Sequence, residues 1–533
     1  MRVKLVLLCL LLALGLRAST PELGKDKLRR LVKLPAISFQ PEWTFDPGTG
    51  FTLGAHDQTA QIKTLKQELR DSPNDADGWL HLGDMYAEAG DSGNAINAHA
   101  KSVLLYRKRM DMQAEDASLL TSFGEALGDM GKRDEAESVL RRAVRAKGSD
   151  WKSLVALGRL LDDEARRDIS ENAKPPDLQA SNRAGNESSD RGADHIAIAR
   201  KRLDEASDCF DRAVTISPSE SEVYRRRGLH RTLRTYLLNE IREASGDHKS
   251  DVEVLSDYFS AESLADLKRA SKLSPSDYEL IGNAALFEIY GVNARSGSRS
   301  VGDGFDWTAL PDSSQASIRS ALTRLQDLAE EPDPSEAAGA LDVLAILQGP
   351  VLHKTNSRIV NLRRAIALDP SREQLWEMMA GTLARSERYD ELLTVCEAHL
   401  KEKDSARSHM LLAKAYERLH QWDNAEEQIA EAVKLTPNDF TANLALGAVL
   451  LKRSEDPDVL SDANSWLARA EQILAGLPPQ QKPRQLIIDF TLTRSISLAL
   501  ADDVESARHW AQTVIDSDKE NEVAREILAA MEY

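Results

Sequence analysis

The sequence predicts an all-α protein, an α-solenoid of stacked helix–turn–helix units, and three observations carry that reading. Aromatic residues make up only 5% of the 533 residues and charged ones 29%, with 19 prolines and with Ala, Leu, Glu and Arg recurring through most of the length. That is a helix-forming bias. A register of large and small residues also recurs at a fixed spacing of helical-hairpin size. Prolines, finally, fall where that register ends a helix, as Pro437 does in "YERLHQWDNAEEQIAEAVKLTPND". A hydrophobic content of 42% suffices for a core and argues against wholesale disorder.

The first element is "MRVKLVLLCLLLALGLRAST". Arg2 and Lys4 precede an apolar run from Leu5 to Leu16, and small residues follow around Ala18, the pattern of a secretory signal peptide over 1–18. The run is shorter than the ~20 residues a bilayer span needs. Cys9 lies inside it rather than at the end of a small-residue box, which argues against a lipid anchor. The expected compartment is therefore an exported one, periplasmic or secreted, with no transmembrane segment after cleavage. Residues 19–59 include "LPAISFQPEWTFDPGTGFTLGAHDQ", rich in proline and glycine and without helical period, and are expected to form an extended lead-in.

From residue 60 onward the register takes over. With Ala413 as the eighth position of a unit, Tyr416 falls at 11, Ala425 at 20, Ile429 at 24, Ala432 at 27 and Pro437 at 32. The same positions recur in Trp79, Leu82, Gly83, Tyr86 and Ala95; in Phe123, Gly124, Leu127, Ala136, Leu140 and Ala143; and in Trp376, Met379, Ala380, Leu383, Leu392 and Cys396. Large groups at 4, 7, 11 and 24 fill the space between two helices, and small ones at 8, 20 and 27 let the backbones approach. This pattern resembles the tetratricopeptide repeat, a roughly 34-residue helical hairpin, and the resemblance implies a right-handed superhelix over 60–533 of about ten units. A final "NEVAREILAAMEY" is expected to cap the array.

Central units are interrupted between their helices. Leu157, Gly158 and Leu161 open a first helix whose partner carries Ala206, Phe210, Ala213 and Pro218, so about 36 residues are inserted. Tyr224 and Gly228 likewise pair with Leu267, Ala270 and Pro275 across about 23 extra residues. Polar, aperiodic stretches near 168–195, 243–252 and 291–316 are expected as disordered insertions. Asn186-Glu187-Ser188 in the first of them matches a glycosylation sequon if the host is eukaryotic.

Chemistry is scarce. Repeats and insertions use nearly the whole chain, leaving no separate block of the ~100 residues that a catalytic domain needs. Zinc-protease, Cys-pair, phosphate-loop, nucleophile-elbow and dinucleotide motifs are all missing from the sequence. No two of the 11 histidines stand three or four apart on one helix face. No cofactor, metal or enzymatic activity is expected. The formal charge of −18 disfavours nucleic acid. Cys209 and Cys396 lie several units apart, which disfavours a bridge between them.

What remains is the face lined by the first helix of each unit. It offers Asp77, Asp84, Glu88, Glu125 and Asp129 early in the chain, and Arg385, Arg407, Lys414, Arg418 and Lys452 late. A groove acidic at one end and basic at the other follows, with the basic end set to grip an acidic segment or chain terminus of a protein or peptide partner. Lys414 and Arg418 share the four-residue step of the repeat family's carboxylate clamps but lack their asparagines, so that specificity is not carried over. The resulting expectation is a scaffold or adaptor for protein or peptide partners. The alternative is an envelope or extracellular glycan-binding module using aromatics near Trp43 and Trp307.

Overall fold

A computed structural model describes residues 25, 27–34, 44–52, 59–88, 91–110, 116–146, 150–172, 187–244, 257–295, 310–352, 354–453, 456–477, 484–519 and 521–531. The chain divides into two compact units, one of Pro41–Leu375 and one of Met1–Gln40 with Trp376–Tyr533.

The first unit opens with an antiparallel hairpin, β1 (Thr44–Asp46) and β2 (Gly50–Thr52), in which Phe45 pairs with Phe51. Helices follow in order: α1 (Thr59–Asp71), α2 (Ala76–Glu88), α3 (Ser92–Met110), α4 (Ala117–Asp129), α5 (Arg133–Ala146), α6 (Trp151–Asn172), α7 (Glu187–Ile216), α8 (Ser221–Ala244), α9 (Ala261–Leu273), α10 (Tyr278–Arg295), α11 (Asp312–Leu328), α12 (Pro334–Ile346) and α13 (Thr355–Leu368). Each even-numbered helix from α2 to α12 opens a hairpin that the next helix closes. Helix α14 (Glu373–Arg385) begins at the division between the units, and the second unit continues with α15 (Tyr389–Glu402), α16 (Ala406–Arg418), α17 (Trp422–Leu435), α18 (Phe440–Arg453), α19 (Pro457–Gly476), α20 (Arg484–Leu500), α21 (Val504–Ser517) and the terminal α22 (Glu522–Ala530). The fold is all-α in architecture, a solenoid of helical hairpins, with one short β-hairpin before it.

Packing follows the sequence register. The small residues at position 27, Ala143, Ala213, Ala270, Ala365, Ala432 and Ala470, are all fully buried. Position-8 glycines receive the large position-24 side chain of the second helix: a Cβ on Gly124 would lie 2.5 Å from Leu140 Cγ, and one on Gly158 would lie 2.7 Å from Phe210 Cζ. Around these contacts one apolar cluster runs without a break from Ala76 to Val223, through Leu127, Leu140, Leu161 and Phe210. Cys209 and Cys396 are both buried and unbonded.

Two expectations need correction. The 19–59 segment is in part folded. Residues 27–31 form a turn of helix, and the β-hairpin is tied down by Asp46, whose carboxylate caps the turn by accepting from the Gly48 and Thr49 amides and takes two bonds of 2.9 Å from Arg166 on α6. Burial pushes the Asp46 carboxyl upward, but the Arg166 bond and charge and the two amides outweigh it and hold it below the ordinary carboxylate value. One salt-bridged turn thus orders a stretch that lacks helical period. The stretches expected as disordered insertions near 168–195 and 291–316 are helical at both edges, because α6 runs to Asn172, α7 starts at Glu187, α10 runs to Arg295 and α11 starts at Asp312. Helices already nucleated on a packed hairpin extend cheaply into polar sequence. Residues 173–186, 245–256 and 296–309 lie outside the described residues.

Gly158→Leu should therefore overpack the α6–α7 contact and lower stability by about 1–3 kcal/mol or more, read as a lower urea midpoint. Combined with Phe210→Ala the loss should be less than additive. Full additivity would show that the two positions do not press on each other.

Candidate functional site

The first helices of four successive hairpins line a cavity of about 450 Å³. Asp84 comes from α2, Glu125 and Asp129 from α4, Arg159 and Asp163 from α6, and Arg226 from α8. Counted from the position-8 glycines, these acids and Arg159 stand at positions 9 and 13, the places that a closed hairpin leaves facing outward. Carboxylates crowd one another here. Burial and the Asp84 charge push the Asp129 carboxyl up to about 6, against the pull of His99 and Arg159. Glu125 and Asp163 are raised too, chiefly by burial, with Arg159 opposing.

His99 reaches this cluster from the second helix of its hairpin. It stands at position 24, normally a large apolar residue, and crosses over Gly83 to place Nε2 3.1 Å from Asp84 Oδ1. A Cβ on Gly83 would sit 2.0 Å from the imidazole, so glycine is what admits it. Burial alone would lower the His99 pKa, but the Asp84 bond and the charges of Asp129 and Asp84 raise it. Ligand atoms of Asp84, His99 and Asp129 lie within 4.8 Å of one another, the one such grouping among the described residues. The His99 imidazole thus faces the Asp84 carboxylate with a second carboxylate, Asp129, beside them.

In the second unit the corresponding face of α16 and α18 carries a length of the chain itself. Residues 27–31 make their turn of helix and 32–34 follow as extended chain, with Leu28, Val32 and Leu34 buried at 3%, 3% and 6% exposure. Lys452 Nζ donates to the carbonyls of Arg29 (2.9 Å), Arg30 (3.0 Å) and Val32 (3.3 Å), capping the end of that turn. Lys414 Nζ donates to the Leu34 carbonyl at 3.3 Å, and Glu417 Oε1 accepts from the Leu34 amide at 3.1 Å. Lys414 and Glu417 are themselves paired at 2.5 Å. Burying the three aliphatic side chains is worth about 1.5–3 kcal/mol each.

The structure thus redistributes the residues that sequence reasoning selected. Asp84, Glu125 and Asp129 do meet in one cavity, but Arg159 and Arg226 stand among them and Glu125 lies 3.6 Å from Arg159. That end is mixed in charge rather than acidic. Asp77 accepts from the Tyr106 hydroxyl at 2.5 Å and lies outside the cavity; Glu88 closes α2, and its side chain lies outside the described residues. Arg407 is committed to Glu377 by bonds of 2.6 and 2.8 Å. Arg385 and Arg418 are exposed at the last turns of α14 and α16. Lys414 and Lys452 do converge on a polypeptide, but they meet backbone carbonyls, not carboxylates. Sequence reasoning missed Glu417, at position 12, and His99, whose signal is a polar residue at an apolar register position. Trp43 and Trp307 lie outside the described residues.

The Asp129 carboxyl fixes a direction for pH dependence. In the unfolded chain it ionises near the ordinary value of about 4, whereas in the fold it holds its proton to about 6. Its contribution to stability is therefore complete below about pH 4 and lost as pH rises through about 6. Asp129→Asn should flatten the fall in urea midpoint across that window and gain about 1 kcal/mol or less at pH 7, since the group is partly screened by solvent. A variant that tracks the wild-type pH profile would remove Asp129 from this linkage.

Tetratricopeptide-repeat family models match residues 117–150 and 410–476, the segments that hold α4–α5 and α16–α19. No curated protein sequence matches. Among solved structures, yeast Tom70 aligns at 13% identity over 89% of this chain and 96% of its own, with a TM-score of 0.37. YrrB, described as a TPR protein with an unusual peptide-binding site, aligns at 19% over 39% and 98%, with a TM-score of 0.29. A tetratricopeptide repeat protein from Parabacteroides merdae aligns at 14% over 63% and 98%, with a TM-score of 0.31. The matched repeats and the register that runs on either side of them identify the chain as a tetratricopeptide-repeat protein.

Proposed function

We propose that the protein is a non-catalytic scaffold or adaptor that holds polypeptide segments of its partners against the first helices of its repeats. The observation that supports this best is the seat of residues 27–34 on α16 and α18, held largely through backbone groups. Backbone amides and carbonyls are common to every protein, so the same donors serve a foreign segment of suitable shape. Hairpins occupy most of the described residues, which leaves little room for a separate catalytic block. Charged side chains on the helix faces pair across helices, as Arg407 does with Glu377 and Arg159 with Glu125. We place the protein in an exported compartment, on the strength of the apolar leader Leu5–Leu16 behind Arg2 and Lys4. No described helix is long and apolar enough to cross a membrane.

Photo-crosslinkers at Asp129 and Arg418, on the first-helix faces, should capture partner polypeptide in the native fraction, and one at the exposed Leu104 of α3 should not. Capture no stronger at the first two sites than at Leu104 would overturn the scaffold reading. For the compartment, mass spectrometry of the protein from its source should find a mature start near Ala18. A retained leader in a cytosolic fraction would sink that part.

A further inference from the structure

The segment over 25–34 differs from an ordinary structural strap in three respects. Its hold on the repeats includes three aliphatic side chains, backbone contacts to Lys414, Glu417 and Lys452, and an ion pair of Lys25 with the exposed Asp502 at 2.7 Å. It is also imperfectly matched to its seat. The segment is strongly basic, with Lys25, Lys27, Arg29, Arg30 and Lys33 against Asp26 alone, and it lies against a lysine. Burial lowers the Lys452 pKa, and the cations of Lys33 and Arg30 lower it further, with only Glu417 opposing. Finally, the contacts read a shape rather than a sequence. Lys452 needs the bare carbonyls at the end of a helical turn, and the Lys414–Glu417 pair needs one extended residue presenting its C=O and N–H together.

We infer that residues 25–34 are a built-in, displaceable occupant of the α16–α18 face, and that the partner which displaces them presents a segment of the same form. That segment has aliphatic residues spaced as Leu28, Val32 and Leu34, a helical turn ending in free carbonyls, and no cation at the places of Arg30 and Lys33. The inference rests on the scaffold reading above and names the kind of segment that this part of the scaffold takes. Self-occupancy keeps the face closed to weak or ill-shaped chains, because a tethered segment competes at an effective concentration of about 1 mM. A partner relieved of the two cations gains against it.

The test uses the full mature chain and a fluorescein-labelled peptide of residues 24–36, GKDKLRRLVKLPA, read by anisotropy. In Leu28→Asp/Val32→Asp the segment is released while every repeat residue stays as it is. Peptide affinity should rise on the order of 10- to 100-fold over wild type, the factor by which tethered competition reduces it. Lys452→Met in the released chain should lose that binding by about tenfold or more. A peptide carrying Arg30→Gln and Lys33→Gln should bind several-fold tighter than the natural one. Equal affinity in wild-type and released chains would overturn the inference. So would absent binding to a released chain that keeps its circular dichroism and melting temperature. Loss of helicity on release would do the same, because it makes the segment a structural part rather than an occupant. The scaffold reading fails by a separate result, capture by the crosslinkers at Asp129 and Arg418 no stronger than at the Leu104 control.

Discussion

Several hairpins depend on one steric constraint: a first helix whose eighth position lacks a large side chain, pressed by the side chain at position 24 of the second. Where that place is glycine the approach is too close for any Cβ, as with Gly83 under His99, Gly158 under Phe210 and Gly447 under Leu467. Interiors are packed near the density of organic crystals, so the contact fixes how one helix is rotated against the next. Once the rotation is fixed, positions 4, 7 and 11 must point inward and 9, 12 and 13 outward. The residues that line the two candidate faces, Asp84, Asp129, Lys414, Glu417 and Lys452, occupy such outward places. Their position is a consequence of the core.

This explains what could be read from the sequence and what could not. The hairpins were legible because their determinants are local, repeated and apolar: Ala425, Ile429 and Ala432 say the same thing as Ala136, Leu140 and Ala143, and repetition excludes chance. The outward positions of Asp129 and Lys452 were legible for the same reason. Their partners were not. Residues 27–31 form barely more than one turn, too short to show a helical period, and they meet Lys452 across more than four hundred residues of sequence. The Asp46 turn was opaque in another way. Its order comes from Arg166 on α6, a contact that no local pattern announces.

Electrostatics explains why a face chosen for its positive charge meets backbone carbonyls of the chain's own segment. Acids and bases on these helices find each other first: between neighbouring hairpins Arg159 with Glu125 and Arg407 with Glu377, and within α16 Lys414 with Glu417. Such pairs contribute little when exposed, but they remove the net field that would attract an acidic terminus. Lys452 feels the opposite charge of Glu417 and sits over the Trp422 ring at 5.5 Å. A half-buried ammonium with three donors needs acceptors to replace water. The carbonyls at the end of a helical turn supply them, with the partial negative charge of unsatisfied peptide dipoles.

That choice of acceptor gives the face a direction. Carbonyls are free only at the C-terminal end of a helix, and at the other end free amides would point at the ammonium and repel it. The residue after the turn must then place its C=O toward Lys414 and its N–H toward Glu417, which an extended backbone does in one chain sense at a given register. Reversing the chain exchanges donor for acceptor at all of these contacts. Aliphatic burial at 28, 32 and 34 is non-directional and supplies most of the attraction, while the charged groups, each worth less, decide which way the segment lies. A repeat surface that reads chain direction before side-chain identity suits a scaffold with varied partners, because specificity is then set by the few apolar side chains that enter and by the cations that must stay away.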